Sequence, residues 1–263
     1  KILSVNNDKS NTTLNNFYEI ISFLYFLPDT ERLFLSSPLS RRNFIDQLIF
    51  TYTKGYNKII NEYNKFIKER SKILLNNTSD EIWLYELEKK ISELGLKIYL
   101  LRNKQLEVLI ENLNFYLNTY KLPFKINAEI NDKFYRKELN QEYFEQKLKK
   151  NRLIDSQIGG SKIGPHKTDY VFFVNDDFYI SQLSTGQQKT IILLLFLSHC
   201  KFLVKNKEKS PIILLDEVCS HLDEINRHIL LNLIESFNLQ IFMTGTNKNL
   251  FSFLSTNTNF CNI

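Results

Sequence analysis

The sequence predicts an α/β fold in which a parallel sheet flanked by helices is joined to a lobe built on a long antiparallel helix hairpin. Two runs of apolar residues at helical spacing, separated by a short polar segment, predict the hairpin. Further along the chain, helices alternate with short apolar strands, which is typical of a parallel sheet covered by helices. With 263 residues, 43% of them hydrophobic, the chain is long enough for two lobes.

The composition of the chain narrows the classes of function it can have. No apolar run is as long as a membrane span and no signal-peptide core is present, so we expect a cytoplasmic protein without membrane contact. The three cysteines form no Cys-x-x-Cys pair, which argues against a disulfide framework or a zinc site. The net charge of +5 is compatible with DNA, although the excess of lysine over arginine is also that of an AT-rich gene.

The helix hairpin is expected from two segments. Apolar residues recur every three or four positions over about 40–75 and again over about 79–120, and the polar residues 76–80 separate the two runs. Ser79 or Asp80 is expected to cap the second helix. A short stub of an SMC-like coiled-coil arm is the alternative interpretation.

The rest of the chain predicts an alternation of strands and helices. Pro123 ends the helical region, and residues 159–166 form a turn-rich loop. The expected elements are strand 124–130, helix 134–148, a hairpin of strands 170–174 and 178–180, helix 185–204, strand 211–215, helix 223–237 and strand 239–244. We accordingly divide the chain into an amino-terminal part (1–39), a helical lobe (40–122) and a sheet-forming part (123–263).

An acid pair follows the apolar strand expected at 211–215. Asp216 and Glu217 come directly after it, at the sheet edge where α/β folds bind ligands. In a Walker B strand, Asp216 would hold Mg²⁺ and Glu217 would orient and deprotonate the attacking water. The alternative is a buried strand followed by an ordinary acidic turn.

The segment Ser184–Lys189, Ser-Thr-Gly-Gln-Gln-Lys, begins a very apolar helix. Free amides at a helix amino terminus, a serine hydroxyl and a glycine form an anion site that can touch a γ-phosphate, which makes Ser184, Gly186, Gln187 and Lys189 candidates. The alternative is local, with Ser184 as the N-cap and Gln187 completing a capping box.

The order of these segments is that of an ABC-type ATPase head. Asp216 lies 32 residues after Ser184, and Ser220 and Asp223 follow as a candidate D-loop. Asp223 is also placed to cap the next helix, and it could reach across a dimer. Thr244, at the end of the last strand, occupies the position of a switch residue, where many ABC proteins have histidine.

Several segments together resemble the RecF family of ABC-type ATPases. Ser184–Lys189 looks like the RecF form of the ABC signature, and Gly164–Asp169 is similar to the family's Gly-Pro-His-Arg-x-Asp motif. Arg41–Asp46 resembles its Arg-Arg-Arg-Phe-Leu-Asp, and Phe26–Asp29 its short loop of proline and an acid. These segments occur in the family's order over nearly the whole chain. The resemblance implies that 1–39 is a remnant of an ATPase lobe and that 123–263 is the ATPase core.

The resemblance implies an ATP-dependent DNA-binding protein of recombinational repair and replication. Such a protein acts at single-strand gaps and DNA junctions to promote recombinase loading, using ATP and Mg²⁺. Double-stranded and gapped or single-stranded DNA, RecR and RecO are the implied partners, and ATP holds a homodimer with weak ATPase activity. The alternatives are another SMC-like or ABC head, or a degenerate fragment without catalysis.

A Walker A loop, Gly-x-x-x-x-Gly-Lys-Ser/Thr, is not found in the 263 residues. The nearest string, Gly159–Gly164, continues with Pro165, which lacks the amide that phosphate would need, and with His166. His166 is expected to be a hydrogen-bonding loop residue. Because the family carries its Walker A on an amino-terminal segment, we expect these residues alone to show no ATPase activity.

Basic residues supply candidates for DNA contact. Arg41 and Arg42 lie in one motif, and Lys149, Lys150 and Arg152 form a cluster at the end of a predicted helix. A solvated helix end is the alternative for the second group.

Overall fold

The computed structural model describes residues 8, 10, 13, 21–76, 80–136, 138–217, 223–237, 239–254 and 258–261. Short 3₁₀ segments occur at Pro28–Leu35, Ile180–Gln182 and Lys248–Phe251. The strands are β1 (Phe23–Phe26), β2 (Ile126–Asn131), β3 (Asp169–Val174), β4 (Phe178–Tyr179), β5 (Ile212–Leu215) and β6 (Ile241–Met243). The helices are α1 (Pro38–Phe50), α2 (Tyr56–Leu75), α3 (Glu81–Thr119), α4 (Gln141–Lys150), α5 (Arg152–Ile158), α6 (Thr185–Lys207) and α7 (Glu224–Phe237).

The chain divides into two compact units. The hairpin unit comprises Pro38–Glu107 and Ala128–Val171, and the sheet unit comprises Lys1–Ser37, Val108–Asn127 and Phe172–Ile263. Residues 128–171, which we expected in the ATPase core, therefore group with the helices. The functional names given to the domains stay predictions.

Helices α2 and α3 form the expected antiparallel hairpin in the hairpin unit. Arg70 of α2 is paired with Glu88 of α3, and Lys90 lies 5.3 Å from the ring centre of Phe66. The later residue of α3, Lys90, contacts the earlier residue of α2, Phe66, so the two helices are antiparallel. The prediction of one helix over 40–75 was wrong, because Gly55, with φ of 73°, separates α1 from α2.

The sheet unit contains the expected parallel sheet. Its strand order is β1-β5-β6, with β5 parallel to both neighbours. Because side chains alternate between the faces of a strand, Leu24 and Phe26 of β1 are buried together with Ile213 and Leu215 of β5. Phe26 packs edge-on against Phe196 of α6 at 5.1 Å between ring centres. Helix α6 therefore covers this face of the sheet.

Helix α6 is apolar on nearly every side and is buried on nearly every side. This is the pattern of a helix in the core of a domain. Among the helices in the described ranges, none is both long and apolar enough to cross a membrane.

Strand β1 and the start of helix α4 differ from the expectation. Strand β1 was not predicted, although the apolar residues before Pro28 indicate a buried strand. Helix α4 begins at Gln141 instead of 134, because the Asn140 side chain accepts a hydrogen bond from the Tyr143 amide and caps it. A second sheet of order β2-β3-β4 confirms the strand expected at 124–130 and the hairpin after it.

Candidate active site

Asp216, Glu217 and Thr244 meet at the carboxyl edge of the parallel sheet. Strands β5 and β6 are paired in register, Leu215 opposite Met243, so the residues directly after them lie side by side. The Thr244 hydroxyl donates to Asp216 Oδ1 at 2.6 Å and accepts from the Glu217 amide at 3.1 Å. One threonine hydroxyl thus holds both members of the acid pair.

Glu217 has a backbone conformation that is uncommon for its residue type. Its φ of 53° lies in the left-handed region. This conformation costs a non-glycine residue about 1–3 kcal/mol and persists only where the surrounding structure imposes it. The hydrogen bond from its amide to Thr244 is one constraint that imposes it. Glu217 is exposed at the end of the strand. Strain of this kind is concentrated at functional sites.

The acid pair suits a magnesium ion that also binds phosphate. Asp216 uses one carboxylate oxygen for Thr244, and its Oδ2 has no hydrogen-bond partner among the described residues. Within the same residues, no group of three or more His, Cys, Asp or Glu could hold a metal by itself. Mg²⁺ is commonly bound by one or two carboxylates together with substrate phosphates and water, so a single Asp216 ligand fits this ion.

The first turn of α6 contains the predicted signature residues. Ser184 Oγ accepts from the Gln187 amide at 3.3 Å, and Gln187 Oε1 accepts from the Ser184 amide at 3.1 Å. The capping box therefore exists, and the local alternative for Ser184 and Gln187 is realised. Both residues are exposed, so this turn also remains open to an anion. Lys189 is paired with Glu31 at 2.8 Å.

Asp223 lies close to the signature glycine. Its Oδ1 accepts from the Asn226 amide at 2.8 Å, which confirms that Asp223 caps α7. A Cβ atom built on Gly186 would lie 3.9 Å from Asp223 Oδ2. Ser220, the other predicted D-loop residue, lies outside the described residues.

The two motifs of the hairpin unit contact each other. Arg41 donates to both carboxylate oxygens of Asp169, at 2.7 and 2.9 Å, and Arg42 donates to the carbonyl of Thr168 at 2.6 Å. The segment that begins Arg41-Arg42 therefore binds the end of the Gly-Pro-His segment. Arg41 and Asp169 are 128 positions apart in the sequence.

Arg102 of α3 also contacts both of these motifs. It donates to both carboxylate oxygens of Asp46 at 2.7 Å and to the carbonyl of Pro165 at 2.6 Å. Asp46 also accepts from the hydroxyl of Tyr56 at 2.6 Å. These bidentate contacts between charged groups fix the loop on the helices.

Comparison with known proteins identifies the family. The RecF/RecN/SMC N terminal domain matches residues 43–261 of the chain. A protein of Rickettsia bellii described as DNA replication and repair protein RecF is 30% identical over 248 residues, 92% of this chain and 67% of the relative. The chain belongs to the RecF family. A RecF protein of Rickettsia canadensis is 29% identical, over 91% of this chain and 68% of its own length.

A solved RecF structure has the same fold. The protein, titled recombination mediator protein RecF-ATP in the RecFOR pathway, superposes with a TM-score of 0.78 at 25% identity. The alignment covers 94% of this chain and 67% of the solved one. The likeness extends over both units, and it confirms the expected ABC-ATPase-like fold of a RecF-family protein.

The Gly-Pro-His loop of this RecF-family chain is held by buried polar contacts. The Ser161 carbonyl can only accept, so His166 Nε2, at 3.0 Å, carries the ring proton. His166 Nδ1 then accepts from the hydroxyl of Tyr63 at 2.7 Å. Burial lowers the pKa of His166 to about 4, so the ring is neutral at pH 7. The expected hydrogen-bonding role of His166 is confirmed.

Gly164 of the same loop cannot be replaced by a larger residue. Its φ is 125°, and a Cβ atom at this position would lie 2.3 Å from the Tyr63 hydroxyl. A cavity of about 120 Å³ lies beside the loop, lined in part by Arg42, Asn43 and Asn64. The RecF-like motif thus has a clear structural role in the hairpin unit.

The five predicted DNA contacts fall into two groups. Arg41 and Arg42 are bound within the hairpin unit, and Arg152 is paired with Glu81 and Glu88 at 2.6 and 2.7 Å. Lys149 and Lys150, at the end of α4, are exposed. Contact of any of the five with DNA stays a prediction.

Gln188 is a functional candidate that the sequence reasoning missed. It is buried, and its side-chain amide donates to the carbonyl of Leu183 at 2.8 Å. This bond fixes the residue that precedes the signature turn. The available signal was a second glutamine, after Gln187, directly before the apolar run of α6.

Proposed function

We propose that the chain is the ATP-dependent, DNA-binding ATPase of recombinational repair and replication that its family membership suggests. The observation that carries the proposal is the arrangement of Asp216, Glu217 and Thr244, in which one hydroxyl fixes an acid pair at the sheet edge. The solved relative is titled as a RecF-ATP structure, which supports ATP as the nucleotide.

Asp216 and Glu217 have different roles in the proposed reaction. Asp216 holds Mg²⁺ through its unused carboxylate oxygen, and the metal, when bound, neutralises phosphate charge. Glu217 accepts the proton of the attacking water, for which its exposed carboxylate is available. Thr244 positions both residues and is the switch residue of this site.

The signature turn serves the ATP of a second copy of the chain. Ser184, Gly186, Gln187 and Lys189 contact the γ-phosphate in trans, with Ser220 and Asp223 as the D-loop between the two sites. When the anion arrives, the Ser184 hydroxyl donates to a phosphate oxygen instead of to Gln187 Oε1. Lys189 likewise pairs with the phosphate instead of with Glu31.

The biological setting belongs to the proposal as well. The protein acts in the cytoplasm at single-strand gaps and DNA junctions, where it promotes recombinase loading with RecO and RecR and binds both double-stranded and gapped DNA. The names of its relatives, DNA replication and repair protein, support this setting.

The experiment replaces the proposed base in the full gene product. Glu217→Gln keeps the shape of the side chain and removes its basicity, so ATP turnover should fall about 100-fold or more, while ATP-dependent retention of duplex DNA persists. Glu224→Gln, at an exposed acid in the first turn of α7, is the matched control and should leave turnover unchanged. Equal turnover by Glu217→Gln and the unaltered protein would rule out this ATPase mechanism.

A further inference from the structure

One face of helix α2 is lined with lysine. Lys58, Asn61, Lys65, Lys68 and Lys72 follow one another at intervals of three and four residues, and all five are exposed. Residues at this spacing lie along one side of a helix. We call these five residues the lysine face of α2. From Lys58 to Lys72, 14 positions apart, the helix rises about 21 Å.

Lysines outnumber carboxylates on this face. The two acids of α2, Glu62 and Glu69, lie beside the lysines at intervals of three and four residues, and both are partly buried. Glu62 lies 3.9 Å from the amino group of Lys58, a distant pair on the surface. Lys65, Lys68 and Lys72 have no ion-pair partner within 4.0 Å in the part of the chain that the structure describes.

The partner helix of the hairpin shows that composition alone does not produce such a face. Over the hairpin unit, α3 exposes four lysines together with three glutamates: Lys89, Lys90, Lys97, Lys104, Glu81, Glu93 and Glu107. Both helices come from one gene and both are half exposed. An AT-rich codon bias would enrich lysine on both helices, but it would not remove glutamate from the exposed side of one of them.

Most arginines of the same unit have the opposite placement. Arg136 is exposed, but the other guanidinium groups donate to carboxylates or carbonyls inside the unit, at Arg41, Arg42, Arg70, Arg102 and Arg152. The lysines of α2 therefore provide the exposed positive charge of this helix. An ammonium group on a flexible stem suits a regularly spaced, fully hydrated anion such as a phosphate backbone.

The aromatic residues of α2 favour duplex DNA over a single strand. Proteins that hold single strands stack bases on exposed aromatic rings. Tyr56 and Tyr63 are buried, and Phe66 is partly buried beneath Lys90. The lysine face offers charge and asparagine donors but no stacking surface.

We propose that the lysine face of α2 binds the phosphate backbone of duplex DNA. This rests on the proposed function, which includes DNA binding, and it names the surface and the DNA form. Duplex DNA carries one charge per about 1.7 Å of its axis with both strands counted, so a 21 Å length of duplex carries about twelve phosphates, about six on each strand. Binding through backbone charge is independent of base sequence and strongly dependent on salt.

The test compares two triple variants of the full gene product with equal charge. Lys65→Gln, Lys68→Gln and Lys72→Gln together alter the lysine face, and Lys89→Gln, Lys97→Gln and Lys104→Gln together alter α3. Each variant removes three positive charges, which lowers the formal net charge of the 263 residues from +5 to +2. Binding to a fluorescent duplex of about 20 base pairs is measured by anisotropy with ATP present, at several salt concentrations.

The lysine-face variant should lose roughly 10- to 100-fold in affinity at 0.1 M salt, and its salt slope should fall by about 2–3. The α3 variant should keep both values. Equal losses in the two variants, or a loss on single-stranded DNA alone, would overturn the proposal while DNA binding stands. If the unaltered protein does not bind DNA at all, the proposed function itself fails.

Discussion

In the hairpin unit, Arg70 is buried and donates to Glu88, to Asp155 and to a backbone carbonyl, so its donors are used within the unit. In the sheet unit, Glu217 is exposed, has a left-handed backbone and is held only through its amide among the described residues. Both residues are charged and lie in ordered segments. Removing one partner of a buried, fully bonded charge destabilises a fold, whereas a charge with unused bonding capacity is available for chemistry.

The largest expected effect concerns the buried, fully bonded charges. Arg70→Met should lower the free energy of unfolding by about 3–5 kcal/mol, because Glu88 and Asp155 would stay buried without their cation. Lys72→Met, on the exposed side of the same helix, should change it by less than about 0.5 kcal/mol. Urea unfolding measures both. Similar values for the two variants would show that the buried network contributes no more than an exposed residue.

A smaller effect is expected where one hydroxyl positions the acid pair. Thr244→Val removes that hydroxyl and should lower ATP turnover about 10- to 100-fold, with little change in stability. Thr244→Ser, which keeps the hydroxyl, should retain most of the activity. Thr246→Val is the matched control at a nearby exposed threonine. If the serine variant is as slow as the valine variant, the hydroxyl is not the group that matters.

The smallest expected effect is a dependence of stability on pH. The pKa of His166 is lowered to about 4 in the folded protein, whereas an unfolded histidine titrates near 6.5. Protonation therefore favours the unfolded chain, and the stabilisation present above pH 6.5 is lost as pH falls towards 4. Between pH 7 and pH 5 the free energy of unfolding should decrease by about 1–2 kcal/mol from this group.

Two variants isolate the contribution of this histidine. His166→Asn should show a smaller decrease between the two pH values than the unaltered protein, in urea unfolding at each pH. His228→Asn, at an exposed histidine of α7, should show the same decrease as the unaltered protein. An unchanged pH dependence in His166→Asn would contradict a neutral, buried His166.

Much of the fold was predictable from the sequence where the pattern was local. The apolar period of α3 and the runs of α6 and β5 predicted their elements to within a few residues. The break at Gly55 was missed because the apolar period continues across it. Strand β1 was missed because a four-residue apolar strand has too few residues to show a period.

The acid pair of the candidate site was also predictable from a local pattern. The contacts made by the basic candidates were not. Asp216 and Glu217 are recognisable because the strand that positions them is adjacent in sequence. The pairing of Arg41 with Asp169 joins residues 128 positions apart, which no local pattern indicates. An arginine that stabilises the fold and one that binds DNA look alike in the sequence until such a partner is known.

The central claim is that the acid pair hydrolyses ATP and that the lysine face binds DNA. Its most direct test measures ATP turnover and duplex binding on the same two variants. Glu217→Gln should lose turnover and keep ATP-dependent binding to duplex DNA. The variant with Lys65, Lys68 and Lys72 replaced by glutamine should keep basal turnover and lose binding. Loss of both activities in both variants, or of neither in either, would contradict the assignment of chemistry to the acid pair and of DNA to the lysine face.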